Sequence, residues 1–197
     1  MTEKEKAAAG YLYNANYDKE LLLEIVKCKD LCHKYNQIMP SDFDSKNKIL
    51  KQIFGSMGEQ VIINAPFWCD YGYNITIGDG FFANHNCQIL DGGKVTFGNN
   101  VFIAPNCLFT TAEHPLDVEQ RNEGLEVALP ITIGNNVWIG AGTTVLGGVT
   151  IGDNTVIGAG SVVTKDIPSN VIALGVPCKV LREITEADKN RYPKYKE

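Results

Sequence analysis

Residues 133–167 read IGNNVWIGAGTTVLGGVTIGDNTVIGAGSVVTKDI, and this stretch decides the fold. A β-branched apolar residue recurs there at every sixth position: Ile133, Ile139, Val145, Ile151, Ile157 and Val163. Small or β-branched residues follow four positions later: Val137, Thr143, Val149, Thr155, Ser161 and Ile167. A period of six does not match the 3.6-residue period of an α-helix, and the many glycines disfavour a helix further. Six consecutive hexapeptides instead predict a triangular solenoid, with one short strand and one corner per repeat.

The same period runs through the preceding residues with one interruption. Ile77, Ala83, Ile89 and Val95 keep the step of six. The phase then shifts by two residues near Gly92-Gly93, and Phe97, Ile103 and Phe109 resume the step. We therefore predict a mainly β protein, a parallel β-helix of hexapeptide repeats over residues 58–184. Known solenoids of this kind wind left-handed, so we expect that hand.

Three segments lie outside the repeat. Residues 1–57 carry apolar residues near helical spacing, which predicts two or three helices that cap the first coil. Residues 110–130 lack the hexapeptide and form an extended loop, where function commonly concentrates. Residues 185–197 are expected to form a short C-terminal helix and a tail, with Thr185 as N-cap.

Composition and charge exclude several classes of protein. The chain has 197 residues, 44% hydrophobic and 21% charged, and no apolar run long enough for a membrane span. A net charge of -5 argues against nucleic-acid binding. The start, MTEKEKAAAG, lacks the apolar core of a secretory signal, so we expect a cytoplasmic protein. Residues 55–130 carry a net charge of -7, which suits a neutral polar ligand in the middle and an anionic ligand towards the C-terminal third.

The cysteines and histidines do not predict a metal centre. The six cysteines form no CxxC pair, and we interpret them as reduced thiols. Cys87 and Cys107 both stand four residues after a marker, so they should stack inside the solenoid. The chain has three histidines, and His33 lies in the helical prefix, away from the coils. We therefore expect no metal requirement, which disfavours a zinc hydratase on this fold.

Of the histidines, His114 is the best candidate for a general base. It opens the long loop and precedes Pro115, which restricts its backbone. Histidine can take a proton near neutral pH. A loop histidine without a function is an equally simple reading of that residue alone. His85 lies within a coil and could face either solvent or a cleft.

The chain resembles the maltose and galactoside O-acetyltransferases, and the maltose branch more closely. The resemblance rests on residues 131–184, on CDYGYNI at 69–75, on FFAN at 81–84, on TAEHPLD at 111–117 and on the first twelve residues. The hexapeptides alone indicate only a hexapeptide acyltransferase. The prefix, FFAN and the His-Pro loop narrow the resemblance to the sugar branch.

The resemblance implies a role for each matching position. His114 corresponds to the catalytic base, and Asn84 to a group that contacts the acceptor and stabilises the transition state. Asp70, Asn84 and Asp91 correspond to the acceptor pocket. The acetyl-CoA contacts correspond to Trp138, Ala141, Ala159, Thr164, Lys165, Lys179 and Arg182. Gly92 stands where the galactoside branch has an acidic residue, and Ala15 stands where that branch has an acceptor-binding aspartate in the prefix. Both differences count against a galactoside preference.

The expected reaction is direct transfer of an acetyl group from acetyl-CoA to a sugar hydroxyl. No cysteine is placed to carry the acyl group, so a ternary complex is favoured. The family forms homotrimers with the site between adjacent prisms. Maltose, glucose, a galactoside, a lipo-oligosaccharide and a xenobiotic hydroxyl all remain candidate acceptors. A non-catalytic hexapeptide scaffold is the alternative from another class, although it would need no base in the loop.

Overall fold

The structure, a computed structural model, describes residues 1–193 and contains a three-sided parallel solenoid. Residues 194–197 of the predicted tail lie outside the described residues. The first face is built from Ser56–Met57, Ile75–Ile77, Val95–Phe97, Ile131–Ile133 and Thr150–Ile151. The second face is built from Ile62–Ile63, Phe82–Ala83, Phe102–Ile103, Trp138–Ile139, Val156–Ile157, Val171–Leu174 and Lys179–Glu183. The third face is built from Phe67–Cys69, Cys87–Leu90, Leu108–Thr110, Thr144–Leu146 and Val162–Val163.

Strand register confirms the repeat and its two-residue shift. Ile77 pairs with Phe97, twenty residues on, and Phe97 pairs with Ile133 after the long excursion. Both sets of repeat positions point inward, and even the hydroxyl-bearing members are buried. The hydroxyl of Thr143 donates to the Gly140 carbonyl at 2.7 Å, which satisfies its hydrogen-bonding group inside the prism. Cys87 and Cys107 are buried on consecutive coils, as predicted.

Glycines stack at the corner that follows the first face. Gly78, Gly98, Gly134 and Gly152 each follow a strand of that face. A Cβ added to Gly98 would lie 2.8 Å from backbone atoms of Gly134, closer than carbon atoms approach. The coils can therefore stack at strand spacing only because these positions carry no side chain.

Three helices form the prefix, within the predicted two or three. They are α1 (Glu3–Ala8), α2 (Lys19–Asn36) and α3 (Phe43–Ile53), and the side chains of Asp18 and Asp42 cap α2 and α3. The α2 helix packs against Phe67–Cys69 of the third face. The Asn36 carboxamide donates to the Phe67 carbonyl at 3.0 Å and accepts its N–H at 2.8 Å. The prefix thus covers one side of the first coil.

The long excursion is an ordered hairpin rather than a bare loop. It contains Ala112–Glu113, the short helix α4 (Val118–Asn122) and Leu125–Ala128. Tyr13–Asn14 of the prefix adds a third, antiparallel strand. The sequence reasoning missed this sheet, because its strands carry no hexapeptide.

The last strand of the described residues lies on the second face. Lys179–Glu183 pairs antiparallel with Val171–Leu174, and a 3-10 helix follows at Glu186–Asn190, where a short helix was predicted. Within the described part of the chain, no helix is both long and apolar enough to span a bilayer.

Candidate active site

Most of the predicted site residues lie at two corners of the solenoid, while Trp138, Lys179 and Arg182 lie on the second face. The Asn84 corner joins the second face to the third and holds Asn84, His85, Ala141 and Ala159. The Asp70 corner lies where strands of the third face end and holds Asp70, Asp91, His114, Thr164 and Lys165. The width of the third face separates the two corners, so one chain does not bring the two predicted catalytic residues together.

His114 is exposed at the base of the excursion, directly after Ala112–Glu113. Its Nδ1 lies 2.9 Å from the Leu125 carbonyl oxygen. A carbonyl can only accept a hydrogen bond, so the neutral ring carries its proton on Nδ1. The Nε2 lone pair is then free to accept a proton from a ligand. The contact holds the ring in place and leaves Nε2 as the atom that can accept a proton.

The segment that supports His114 is fixed by contacts with the prefix. The hydroxyl of Tyr13 donates to the buried carboxylate of Glu126, the neighbour of Leu125. Burial and the adjacent carboxylate raise the pKa of Tyr13, so its hydroxyl remains a donor. Asn14 Nδ2 adds a bond to the Glu123 carbonyl at 3.1 Å. Sequence reasoning missed Tyr13 and Glu126, because no local pattern joins residues 113 positions apart.

Asn84 has a fixed carboxamide. Its side-chain oxygen accepts the backbone N–H of His85 at 2.8 Å, and the backbone N–H of Asn84 donates to the Ile103 carbonyl at 2.8 Å. Within residues 1–193, no hydrogen-bond acceptor contacts its Nδ2, so that group is free to donate to a ligand. His85 is exposed and its Nδ1 lies 2.6 Å from the Ala65 carbonyl, which leaves its Nε2 towards solvent.

Asp70 and Asp91 have different surroundings at their shared corner. Asp70 lies 3.5 Å from the Lys29 ammonium and lines an open cavity of about 360 Å³ with Trp68 and Gln88. Burial raises the pKa of Asp70, although Lys29 opposes that shift. Its carboxylate can thus accept hydrogen bonds from a polar ligand in the cavity.

Asp91 is fully buried. Its Oδ1 accepts the backbone N–H groups of Asp70 and Tyr71 at 2.9 Å each. Its Oδ2 has no hydrogen-bond partner within the described residues. Burial raises the pKa of Asp91 to about 7. Asp91 therefore holds the turn that presents Asp70, and a direct contact with the acceptor stays a prediction.

The predicted coenzyme contacts lie along the outside of the prism. Ala141 and Ala159 stack on consecutive coils, where Gly160 donates to the Ala141 carbonyl at 2.8 Å. Trp138 projects from the second face and is 55% exposed. Thr164 and Lys165 are exposed at the other corner. Within one chain, the predicted coenzyme contacts are therefore divided between the second face and two corners.

Arg182 already has a partner within the chain. Its guanidinium donates to both oxygens of Asp188 at 2.8 and 2.7 Å, which raises the pKa of Arg182 and lowers that of Asp188. Lys179 lies on the same strand and is exposed. An anionic ligand would therefore meet Lys179 directly but would compete with Asp188 for Arg182.

Known proteins resemble this chain over nearly its whole length. Residues 6–58 match the maltose acetyltransferase hexapeptide capping motif, and residues 130–165 match the bacterial transferase hexapeptide. A putative acetyltransferase of Saccharomyces cerevisiae is 55% identical over 93% of this chain and 94% of its own. A maltose O-acetyltransferase from Clostridium difficile 630 is 49% identical, with a TM-score of 0.92 over 94% of this chain and 99% of that one. A galactoside acetyltransferase in complex with coenzyme A is 45% identical, with a TM-score of 0.93 over 98% and 96% of the two chains.

Proposed function

The chain is an acetyltransferase of the maltose and galactoside O-acetyltransferase family, and we propose that it transfers an acetyl group from acetyl-CoA directly to a sugar hydroxyl, with His114 as general base. The observation that carries this proposal is the 2.9 Å contact between His114 Nδ1 and the Leu125 carbonyl. It gives the loop histidine the tautomer and orientation that a base needs. A loop histidine without a function would not need either.

The reaction follows from the chemistry of the two substrates. A sugar hydroxyl is a weak nucleophile and must lose its proton as it attacks the thioester carbon. His114 Nε2 accepts that proton, and the carbonyl oxygen takes on negative charge in the tetrahedral intermediate. Asn84 Nδ2 is a suitable donor to that oxygen. Collapse of the intermediate expels the CoA thiolate, which recovers a proton from His114.

The division of residues between two corners supports a site formed by two copies of the chain. A strand of the third face, Cys87–Leu90, lies between Asn84 and the end of that face from which His114 extends, a separation of more than about 10 Å. The proposed coenzyme contacts divide in the same way, with Ala141 and Ala159 beside Asn84. A homotrimer would place the Asn84 corner of one copy against the Asp70 corner of the next, and threefold symmetry would give three equal sites.

The proposed acceptor is a neutral polyol that binds near Asp70. A carboxylate accepts hydrogen bonds from vicinal hydroxyls, and the Lys29 ammonium beside Asp70 donates to oxygen atoms. Maltose and glucose are the acceptors tested first, because the family model names maltose. A lipo-oligosaccharide or xenobiotic hydroxyl is the alternative acceptor class.

CoA release measured across an acceptor panel tests this proposal. We expect release with maltose or glucose that exceeds hydrolysis without acceptor, and the loss of that release in His114→Ala. Release only with hydrophobic alcohols would select the alternative acceptor class. No release with any acceptor, at a protein concentration that binds acetyl-CoA, would favour a non-catalytic scaffold. Sedimentation of an active monomer would contradict a site shared between copies.

A further inference from the structure

Three cysteines from two separate parts of the sequence meet where the prefix packs on the solenoid. Cys28 and Cys32 lie four residues apart in α2, which places them on the same face of the helix. Cys69 ends the strand Phe67–Cys69 of the third face. The Sγ of Cys69 lies 3.4 Å from that of Cys28 and 3.7 Å from that of Cys32. All three side chains are buried, with at most 4% exposed.

The spacing of the three sulfur atoms is that of a metal-binding triangle. Thiolates that surround an ion at 2.3 Å in tetrahedral geometry lie about 3.8 Å from one another. The two measured Sγ–Sγ distances come within 0.4 Å of that value, and all three sulfur atoms lie within 4.8 Å of one another. Within residues 1–193, this is the one group of three or more potential ligand atoms so close together.

Two cavities adjoin the triangle. Cys69 lines the cavity of about 360 Å³ that also contains Asp70 and Lys29. Cys28 lines a second cavity, of about 250 Å³, together with Glu24. Asp70 and Glu24 line these two cavities, each beside a lysine ammonium: Lys29 lies 3.5 Å from Asp70, and Lys4 lies 2.7 Å from Glu24. An entry path is one of the features that a metal site requires.

We propose that Cys28, Cys32 and Cys69 bind a thiophilic divalent cation of the zinc class, which ties α2 to the third face. Each thiol gives up its proton as its sulfur binds the metal, so one divalent ion releases three protons and leaves a net charge of -1 on the three-thiolate centre. The ammonium of Lys29, adjacent to Cys28 in sequence, offsets part of that charge. The fourth position of the tetrahedron is left to water. The site lies outside the transfer chemistry, which needs no metal.

Cadmium binding to the full chain tests the site directly. The protein, reduced and treated with a chelator that is then removed, is titrated with Cd²⁺ while thiolate-to-metal charge-transfer absorption is followed, and native mass spectrometry counts the bound ions. We expect one Cd²⁺ per chain, and a chain first loaded with Zn²⁺ should exchange that ion for Cd²⁺, because thiolates favour the softer cation. The ion should also raise Tm with increasing concentration, since it binds only the folded chain tightly.

Matched variants separate this site from other thiols. Cys32→Ala should weaken Cd²⁺ binding by more than about tenfold, which is the lower end even for residues that only support a metal ligand. Cys28→Ala should act alike if Cys32→Ala does not fold. Cys178→Ala, which removes a buried thiol outside the triangle, should bind as the native chain does. Absence of binding by the native chain, equal binding by Cys32→Ala and native chain, or formation of a Cys28–Cys69 disulfide in place of binding would each overturn the proposal.

Discussion

The repeated coils and the excursion of residues 111–130 achieve order in different ways. In the coils, each inward position lies between equivalent positions above and below, as Ile133 does between Phe97 and Ile151. The excursion is held by contacts that occur once, such as Tyr13 with Glu126 and His114 with Leu125. The repeat therefore supplies a rigid scaffold, while the contacts that occur once orient the His114 side chain. Substitutions in the coils should affect stability, and substitutions in the excursion should affect turnover.

The largest effect is expected where two coils touch backbone to backbone. Gly98→Val should lower the free energy of unfolding by about 3 kcal/mol, because its side chain meets the Gly134 backbone, which cannot move aside. Gly160→Ala is the matched control: its φ of +70° disfavours alanine, but nothing lies within 4 Å of the new Cβ. That variant should lose about 1–2 kcal/mol. Urea denaturation measures both, and a larger loss in Gly160→Ala would contradict the stacking argument.

Asp91 is an ionisable residue buried among the apolar coils, so the free energy of unfolding should depend on pH. Its pKa is about 7 in the folded chain but near 3.8 when unfolded, so the unfolded chain loses that proton first. Stability should therefore fall as pH rises from about 4 to about 7 and level off above.

The Asp91→Asn variant isolates that contribution. Its amide oxygen can keep the bonds to Asp70 and Tyr71, so the fall in urea midpoint between pH 5 and pH 8 should shrink. Asp79→Asn is the control, because the Asp79 carboxylate also accepts a backbone N–H, at 2.8 Å, but is exposed. Equal pH dependence in the native chain and Asp91→Asn would refute the assignment.

The third prediction tests whether His114 acts in the reaction without contributing to the stability of the fold. His114→Ala should reduce kcat by at least about 100-fold, equivalent to about 2.7 kcal/mol, and leave Tm nearly unchanged because the side chain is exposed. His33→Ala, at an exposed histidine of α2, should change neither quantity. Turnover close to that of the native chain in His114→Ala would remove the histidine from the mechanism.

The same contrast explains what the sequence could predict. The solenoid could be read at residue level because its period is local and repeats, so the shift at Gly92-Gly93 appeared as a change of phase. His114 and Asn84 could be singled out by resemblance. The support of His114 by Leu125, and of that strand by Tyr13, depends on tertiary contacts without a repeat. The cysteine triangle left one visible signal, the four-residue spacing of Cys28 and Cys32 in a predicted helix, but its third member lies in another element.

A smaller effect should follow from loosening the excursion without touching the base. Tyr13→Phe removes the bond to the buried Glu126 carboxylate, which should cost about 1–2 kcal/mol of stability. The strand that positions His114 should then move more freely, and kcat should fall by less than about tenfold. Tyr17→Phe, at a side chain 68% exposed, is the control. An unchanged Tm in Tyr13→Phe would show that the strand is held by other contacts.

The smallest effect concerns the contact between Arg182 and Asp188, a single exposed ion pair at the end of the second face. If Arg182 serves a phosphate of acetyl-CoA, the guanidinium must leave Asp188 to do so. Asp188→Asn should then lower KM for acetyl-CoA, and Arg182→Ala should raise it, each by less than about fivefold because exposed ion pairs are weak. Neither should change kcat, since these groups bind the ground state and the transition state alike.

Lys179→Ala should raise the same KM without any dependence on Asp188. Both lysine and arginine effects should shrink as salt is added, because exposed charges are screened. If Asp188→Asn instead lowers Tm while KM stays constant, the ion pair only anchors the 3-10 helix, and the phosphates of the coenzyme lie elsewhere.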